Sequence, residues 1–414
     1  MAVIQGLVTR DNLLGARRQR AVNPKLWWLD ANNHQLVILT GGLVKSDGNG
    51  GFTVMGKAGQ AKIGWRPVSN VQYEFNMREP LPYRTRINAA GGYTATATSL
   101  TVDDSTFLAV TVNHRAQLKN PRTGELMYVT SAPTSTTVTV SRAAASTTAR
   151  AILDNDQLIW VSTMARDGSS SLPARSQLET TDDNFIQEFE HDWHISNLAL
   201  GSAYHGPHQA SVEKSAAMFE FFKQIERQFL FGHQANPTIN SGTAYSTGGL
   251  ESILTTNIFD LGGASNGLLT LPEFDAIAGQ VLRYGSRTKF LLCGQRVANA
   301  INSFLDGSIR YEGDADAGKE LGFHVTKYRH TSGNIWVVPH WGMEGDTYSG
   351  YGFFVDPDHI GGVYLKSSGA DWYPAHYDDI QGVDEKAKKG QWYGVCGLEL
   401  IQERSFGLIK NVIG

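Results

Sequence analysis

The chain has little of what a secreted, membrane-spanning or metal-built protein needs. Two cysteines, Cys293 and Cys396, stand in 414 residues, too few for a disulfide framework or a cysteine-rich zinc cluster. Cys293 closes the apolar run Phe290-Leu-Leu-Cys293, so a buried, reduced thiol is expected there. No stretch approaches the roughly 20 apolar residues of a membrane-crossing helix. The opening MAVIQGLVTRDNLLGARRQR has no continuous apolar core, so no secretion leader is read. The expectation is a product made and used in a cytoplasm, or released by lysis. An excess of one charge is missing too: 36 Lys and Arg against 40 Asp and Glu leave a net charge of -4, which is no nucleic-acid-binding footprint. Charged residues make up only 18% of the chain, a composition that suits surfaces buried against other chains.

What is present is organised around Gly206 to Gly232, GPHQASVEKSAAMFEFFKQIERQFLFG. Met218, Phe222, Ile225 and Phe229 recur at helical spacing and predict one apolar stripe. Glu213, Lys214, Glu220, Lys223, Glu226 and Arg227 fall off it. Ser211 is placed as an N-cap and Gly232 as the exit. Before this helix the chain reads as strand and loop. Residues 1–26 form an arm bearing Arg10, Arg17, Arg18 and Arg20, and Leu36-Val-Ile-Leu39 predicts a strand. Asp47-Gly-Asn-Gly-Gly51 is expected to be a hairpin tip, because no helix start follows it to complete a phosphate cradle.

Residues 89–156 turn sharply toward Thr, Ala and Ser. Short β runs recur at Ser99–Val102, Leu108–Val112, Glu125–Thr130 and Thr136–Val140, with turn signals between them. They predict a small all-β barrel or sandwich inserted into a host domain, and its Thr-rich polar strands suggest an outward face. The host resumes at Gln157, with Leu158–Val161 and a long strand from Asn184 to Ile195. After the long helix, Thr270-Leu-Pro-Glu273 is a capping box opening a helix with Phe274, Ile277, Ala278, Val281 and Leu282 on one face. A buried strand (Phe290–Cys293), a second helix (Val297, Ala300, Ile301, Phe304), a polar loop (Asp306–Lys319) and strands at Phe323–Tyr328 and Asn334–Val338 follow. The end is strand-rich again, at Gly352–Val355, Gly362–Leu365 and Leu398–Ile401.

No motif carries catalysis. Gly313-Asp-Ala-Asp-Ala-Gly318-Lys319-Glu320 copies the glycine and lysine spacing of a phosphate loop. It puts Glu where Ser or Thr must ligate magnesium, and two aspartates where phosphate would sit. Asp314 and Asp316 mimic the start of a calcium loop without the acid at its twelfth position. His191 with His194 and His205 with His208 have i,i+3 spacing, but the first pair falls on a strand, where the two point to opposite faces. Asp154 with Asp156 and Glu188 with Glu190 read as solvated acids. Trp27, Trp28, Trp341, Trp372 and Trp392 read as core or contact residues. No GxSxG elbow or Cys–His couple is found, and no catalytic, cofactor-binding or metal residue is assigned. The chain is not read as an enzyme.

Taken in order, Asn184-Phe-Ile-Gln-Glu-Phe-Glu190, Glu213–Gly232, Gly248-Gly-Leu-Glu-Ser-Ile-Leu254 with Thr256-Asn257, Phe290–Phe304, Tyr328-Arg-His330, Gly333-Asn-Ile-Trp-Val-Val338 and Phe353-Phe-Val-Asp-Pro357 resemble the major capsid proteins of tailed bacteriophages. The resemblance implies an α+β capsid fold with N-terminal arm, extended loop, axial and peripheral domains, and the inserted all-β domain. It places the arm at 1–26, a β-rich segment with the extended loop at 27–88, and the insertion at 89–156. The loop's return, the peripheral domain and the spine helix (207–232) take 157–261, the axial domain 262–350, and the returning peripheral strands 351–414. It implies self-assembly into hexamers and pentamers of an icosahedral shell around double-stranded DNA. The subunit would reside in the virion after assembly in the host cytoplasm. Its partners would be further copies, portal, scaffold and decoration proteins, with non-specific DNA contact and no membrane. Candidate subunit contacts are Asp47, Gly48 and Asn49 at a neighbour, and Arg310, Glu312, Asp314, Asp316 and Lys319 at a ring centre. An encapsulin-like compartment and a β-rich adhesin remain the alternatives.

Overall fold

The computed structural model describes residues 35–40, 44–46, 52–54, 65–78, 81–172, 179–202, 208–264, 266–304, 311–312, 326–367 and 370–413. Two compact units emerge: residues 1–75 with 182–414, called the main unit, and Asn76–Thr181.

The main unit starts with helix α1 (Gln35–Thr40), followed by β1 (Val44–Ser46) and β2 (Phe52–Val54). These two strands pair antiparallel, Ser46 opposite Phe52. The strand expected at Leu36–Leu39 is therefore a helix. A continuous apolar run has no period to separate the two forms, and here a carboxylate from another helix takes up the first amides. Two more strands follow, β3 (Arg66–Val68) and β4 (Gln72–Met77).

In Asn76–Thr181 the strands are β5 (Arg84–Arg86), β6 (Ser99–Thr101), β7 (His114–Lys119), β8 (Leu126–Val129), β9 (Thr137–Ser141) and β10 (Gln157–Ala165). They form one sheet in the order β5-β10-β7-β8-β9-β6. Ile87, just past β5, bridges Val102, just past β6. Asn88 N–H donates to Thr101 O and Asp103 N–H to Arg86 O. The sheet thus closes on itself as a barrel and leaves no free edge. Leu100, Leu118, Met127, Val138 and Leu158 point inward and are fully buried. The barrel takes in strands on both sides of 89–156, so Leu158–Val161 belongs to it and not to the host. Leu108–Val112 is not a strand: Leu108, Ala109 and Val110 are buried and lead into a turn in which Thr111 bridges His114. The true strand is β7, whose alternating burial is carried by Ala116 and Leu118 among polar residues.

The chain returns through β11 (Thr180–Phe185), which pairs with β4. Then come β12 (Gln187–Ser196), α2 (Asn197–Gly201) and the spine helix α3 (Gln209–Phe231). The single long strand expected from Asn184 is broken at Ile186. The buried face of α3 is Ala217, Phe221, Ile225, Glu226, Phe229 and Leu230, one position away from the predicted stripe at its N-terminal half. Met218 and Phe222 are half-buried. His208, not Ser211, is the N-cap.

Beyond α3 lie β13 (Thr238–Ile239), β14 (Gly242–Thr243), α4 (Leu250–Ile253), β15 (Ile258–Asp260), α5 (Leu261–Ala264) and α6 (Leu271–Val281). Thr270 N–H donates to Glu273 Oε2 at 3.1 Å, the expected capping box. β16 (Thr288–Cys293), α7 (Gln295–Ser303), β17 (Tyr311–Glu312), β18 (Thr326–His330) and β19 (Gly333–Pro339) come next. The last elements are α8 (Gly345–Tyr348), β20 (Gly352–Val355), β21 (Ile360–Ser367), β22 (Ala370–Asp371), β23 (Ala375–Tyr377), β24 (Ala387–Leu400) and β25 (Gly407–Lys410).

Two sheets organise these elements. A seven-stranded sheet runs β15-β25-β20-β16-β19-β18-β17, with β16 parallel to β19 and β15 parallel to β25. All six residues of β16 are buried, as a central strand covered on both faces must be. Its side chains alternate between two cores. Phe290 and Leu292 join Trp336, Val338, Phe353 and the α3 residues Phe221, Ile225 and Phe229. Leu291 and Cys293 join Ile335, Val337, Phe354 and the faces of α6 and α7. The second sheet runs β12-β24-β21-β22, with β23 on β24 and β3 on β21. The spine helix packs on β12 and β24. Among the described residues no helix is long and apolar enough to cross a membrane.

Candidate functional site

Segments far apart in the sequence are fixed against one another by specific buried polar contacts. Three buried polar knots do this in the main unit. The first is on the spine helix. Glu226 is 1% exposed, and a bare carboxylate cannot be buried without partners. Its Oε1 accepts the Leu36 N–H at 2.7 Å and its Oε2 the Val37 N–H at 2.7 Å. His340 Nε2 lies 2.8 Å from Oε1. His340 Nδ1 accepts from the Gly342 N–H at 3.0 Å, so the hydrogen sits on Nε2 and points at Glu226. Gln35 Nε2 donates to Pro339 O beside it. Leu36 and Leu39 enter the same core as Ile225 and Phe229.

The second knot joins the end of β11 to Gly248 and to Leu398 of β24. The buried Asn184 uses all four of its hydrogen-bonding positions. Its Oδ1 accepts from the Phe185 and Gly248 N–H groups, and its Nδ2 donates to Gly248 O and Leu398 O. Gly249 packs directly on the helix exit, where a Cβ would stand 2.5 Å from Gln228 O. Only glycine fits that approach. Nearby, Tyr73 Oη donates to Leu398 O at 2.5 Å, and burial pushes the Tyr73 hydroxyl far above its usual pKa. Arg66 grips the buried Glu399 through two bonds of 2.7 and 2.6 Å, pinning β3.

The third knot is an ion pair inside the seven-stranded sheet. Lys289 and Asp356 are both fully buried, with Nζ 2.5 Å from Oδ2. Nζ also donates to Tyr284 O and Ser405 O, so each of its three hydrogens has an acceptor. Asp356 further accepts from the Ser286 and Asp358 N–H groups, and His359 Nδ1 lies 3.0 Å away. Burial works against the Asp356 charge, yet the contacts from His359 and Lys289 hold its carboxyl well below the usual range. Burial draws Lys289 below the ordinary lysine value, opposed by Asp356. Gly285, at φ +73°, makes the turn over this pair, and any Cβ there would strike Asp356.

These groups are structural in kind. The two thiols are buried, Cys293 being pushed up to about 12, so neither is poised as a nucleophile. Among the described residues no cluster of three His, Cys, Asp or Glu is arranged to hold a metal. His191 and His194 stand on β12, half-buried and exposed respectively. Glu188 and Glu190 share its exposed face and take bonds from Tyr393 and Gln391.

Of the expected contact residues, Asp47, Gly48, Asn49, Arg310, Asp314, Asp316 and Lys319 lie outside the described residues, and Glu312 closes the two-residue strand β17. Sequence reasoning missed Glu226, His340, Lys289 and Asp356. One signal was available: Lys289 is the sole charge in the apolar strand Thr288–Cys293.

Three solved structures are similar to the chain at low identity. A chain of Microbacterium phage Oxtober96 is 9% identical, with 97% of this chain and 98% of that one covered at a TM-score of 0.45. The capsid of Myoviridae phage XM1 is 10% identical, covering 99% and 100% at 0.40. The holo-SrpI encapsulin complex from Synechococcus elongatus PCC 7942 is 12% identical, covering 57% and 78% at 0.36. No curated protein sequence matches. The profile of the SU10 major capsid protein family matches residues 82–412, a span that takes in all six barrel strands and the spine helix. The chain belongs to that family: it is a major capsid protein, a structural subunit of a bacteriophage shell.

Proposed function

We propose that the chain closes into an icosahedral shell of hexamers and pentamers around the packaged double-stranded DNA of a tailed bacteriophage. The family match over 82–412 is the observation that supports this. Rings of five and six need heterologous contacts that close, and obligate shells bury thousands of Å² per subunit. Residues 1–26 serve as the arm, and 27–88 contain the extended loop. Residues 89–156 form the core of the insertion. Beyond the barrel unit, 182–261 carry the loop's return and the spine helix, 262–350 the axial domain, and 351–414 the returning peripheral strands. Asp47, Gly48 and Asn49 meet a neighbour, and Arg310, Glu312, Asp314, Asp316 and Lys319 meet around the ring centre. Portal, scaffold and decoration proteins are further partners, DNA contact is non-specific, and assembly takes place in the host cytoplasm. No residue is assigned a catalytic or cofactor role. Negative-stain electron microscopy of the large fraction tests this reading. Rings or closed shells are expected; amorphous aggregate alone, with scaffold supplied, would overturn it.

A further inference from the structure

A six-residue helix has no stability of its own, since isolated helices shorter than about 12 residues are marginal in water. Segment Gln35–Thr40 is helical because it is docked. Gln35, Leu36, Val37, Leu39 and Thr40 are all buried, and the docking contacts are of two kinds. Leu36, Val37 and Leu39 enter the core beside Ile225, Phe229 and Ile360. The Leu36 and Val37 N–H groups close on Glu226, and the Gln35 side chain on Pro339 O. The receiving side belongs to the main fold, since Glu226 is on the spine helix and His340 directly follows β19.

We propose that residues 35–40 are a latch and that Glu226 with His340 is its catch, so that the segment docks and releases as one unit while the spine helix and seven-stranded sheet stay folded. The catch survives release in part. His340, oriented by the Gly342 N–H, still donates to Oε1, but the carboxylate loses both backbone donors at once. A half-satisfied buried carboxylate is unfavourable, so intermediate positions are disfavoured and the latch has two states. Both bonds and the helical turn form together or not at all. This gives the chain N-terminal to the spine a release point that does not require unfolding the subunit, a property needed by any segment that must be repositioned during shell growth.

Native-state amide exchange on the full chain tests this. Leu36 and Val37 amides are expected to exchange by local opening, with little dependence on low urea, while Leu291 and Leu292 in β16 exchange only by global unfolding. Glu226→Gln should speed Leu36 and Val37 exchange roughly 10- to 100-fold, while those two amides keep their low urea dependence and β16 still exchanges only by global unfolding. His340→Ala should speed it less, because both backbone bonds remain. Leu36 and Val37 exchanging with the same urea dependence as β16 in the unaltered chain would overturn the proposal, whether or not the variants fold. So would Glu226→Gln without effect on the two amides.

Discussion

The barrel and the main unit use the same hydrogen-bonded ladders but close them over different stretches of chain. In the barrel β7, β8 and β9 follow one another and pair in order, Lys119 opposite Leu126 and Val129 opposite Val140. In the main unit β12 pairs with a strand near the other end of the chain, Gln187 opposite Cys396 and Ser196 opposite Ala387. Local pairing closes at low entropic cost, whereas distant pairing must be held until late contacts reward it. The barrel is therefore built as a self-contained module. The main unit depends on a few buried polar knots to fix which distant segments meet. Both use buried ion pairs, but at different points. Arg142 and Glu125 tie the barrel's own loops, through bonds to Thr94 O, Ala97 O and Arg150 O. Lys289 and Asp356 tie together segments whose tips include Tyr284 and Ser405.

The comparison can be broken by removing one tie at a time. Lys289→Met takes the lysine from the buried Asp356, leaving it His359 and two backbone N–H groups, and should cost the main unit about 4 kcal/mol. Calorimetry should show the main unit's transition falling and the barrel's unmoved. Glu125→Ala, which strands the buried Arg142, should cost about 3 kcal/mol with the opposite outcome. If the two variants shift one common transition, the units are not energetically separate. Asn184→Ala should cost the main unit about 2 kcal/mol by taking the Asn184 partner from the Gly248 N–H and C=O and the Phe185 N–H, measurable as a lower urea midpoint at unchanged slope.

The smallest effect is one of pH. Asp156 in the barrel is held at about 2, below its ordinary 3.8, by the hydrogen bonds from Arg122. A depressed carboxyl stabilises fully above its unfolded value and loses that contribution as pH falls through the folded one. The barrel's melting temperature should thus hold above about pH 4 and decline toward pH 2, while Asp156→Asn should lie lower and show a flatter profile. A parallel decline in both would show that Asp156 is not the group responsible.

Much of this architecture could be read from residue pattern, and the misses share a cause. Thr270 and Glu273 announced α6 because a capping box is local chemistry. The run Gly352–Val355 announced β20 because β-rich apolar residues between glycine and proline have one reading. The segment Leu36–Leu39 did not reveal its helix, because the partner that selects it, Glu226, is far along the chain. Glu226 itself looked like a solvated position at the edge of the spine's apolar stripe, and its burial is visible only once α1 and His340 are placed beside it. The barrel's edges were misplaced for a similar reason: Arg84–Arg86 and Gln157–Ala165 are ordinary strand sequences, and it is the pairing of β10 with β7, and of β5 with β10, that assigns them to the barrel. The candidate contact residues depend on a second copy of the chain, which no single-chain pattern encodes.

Molar mass in solution is the direct test of a shell subunit. Light-scattering chromatography across salt and crowding conditions, with scaffold present, should reveal five- or six-fold multiples of the chain or far larger closed particles. A single-chain mass under every condition would contradict it.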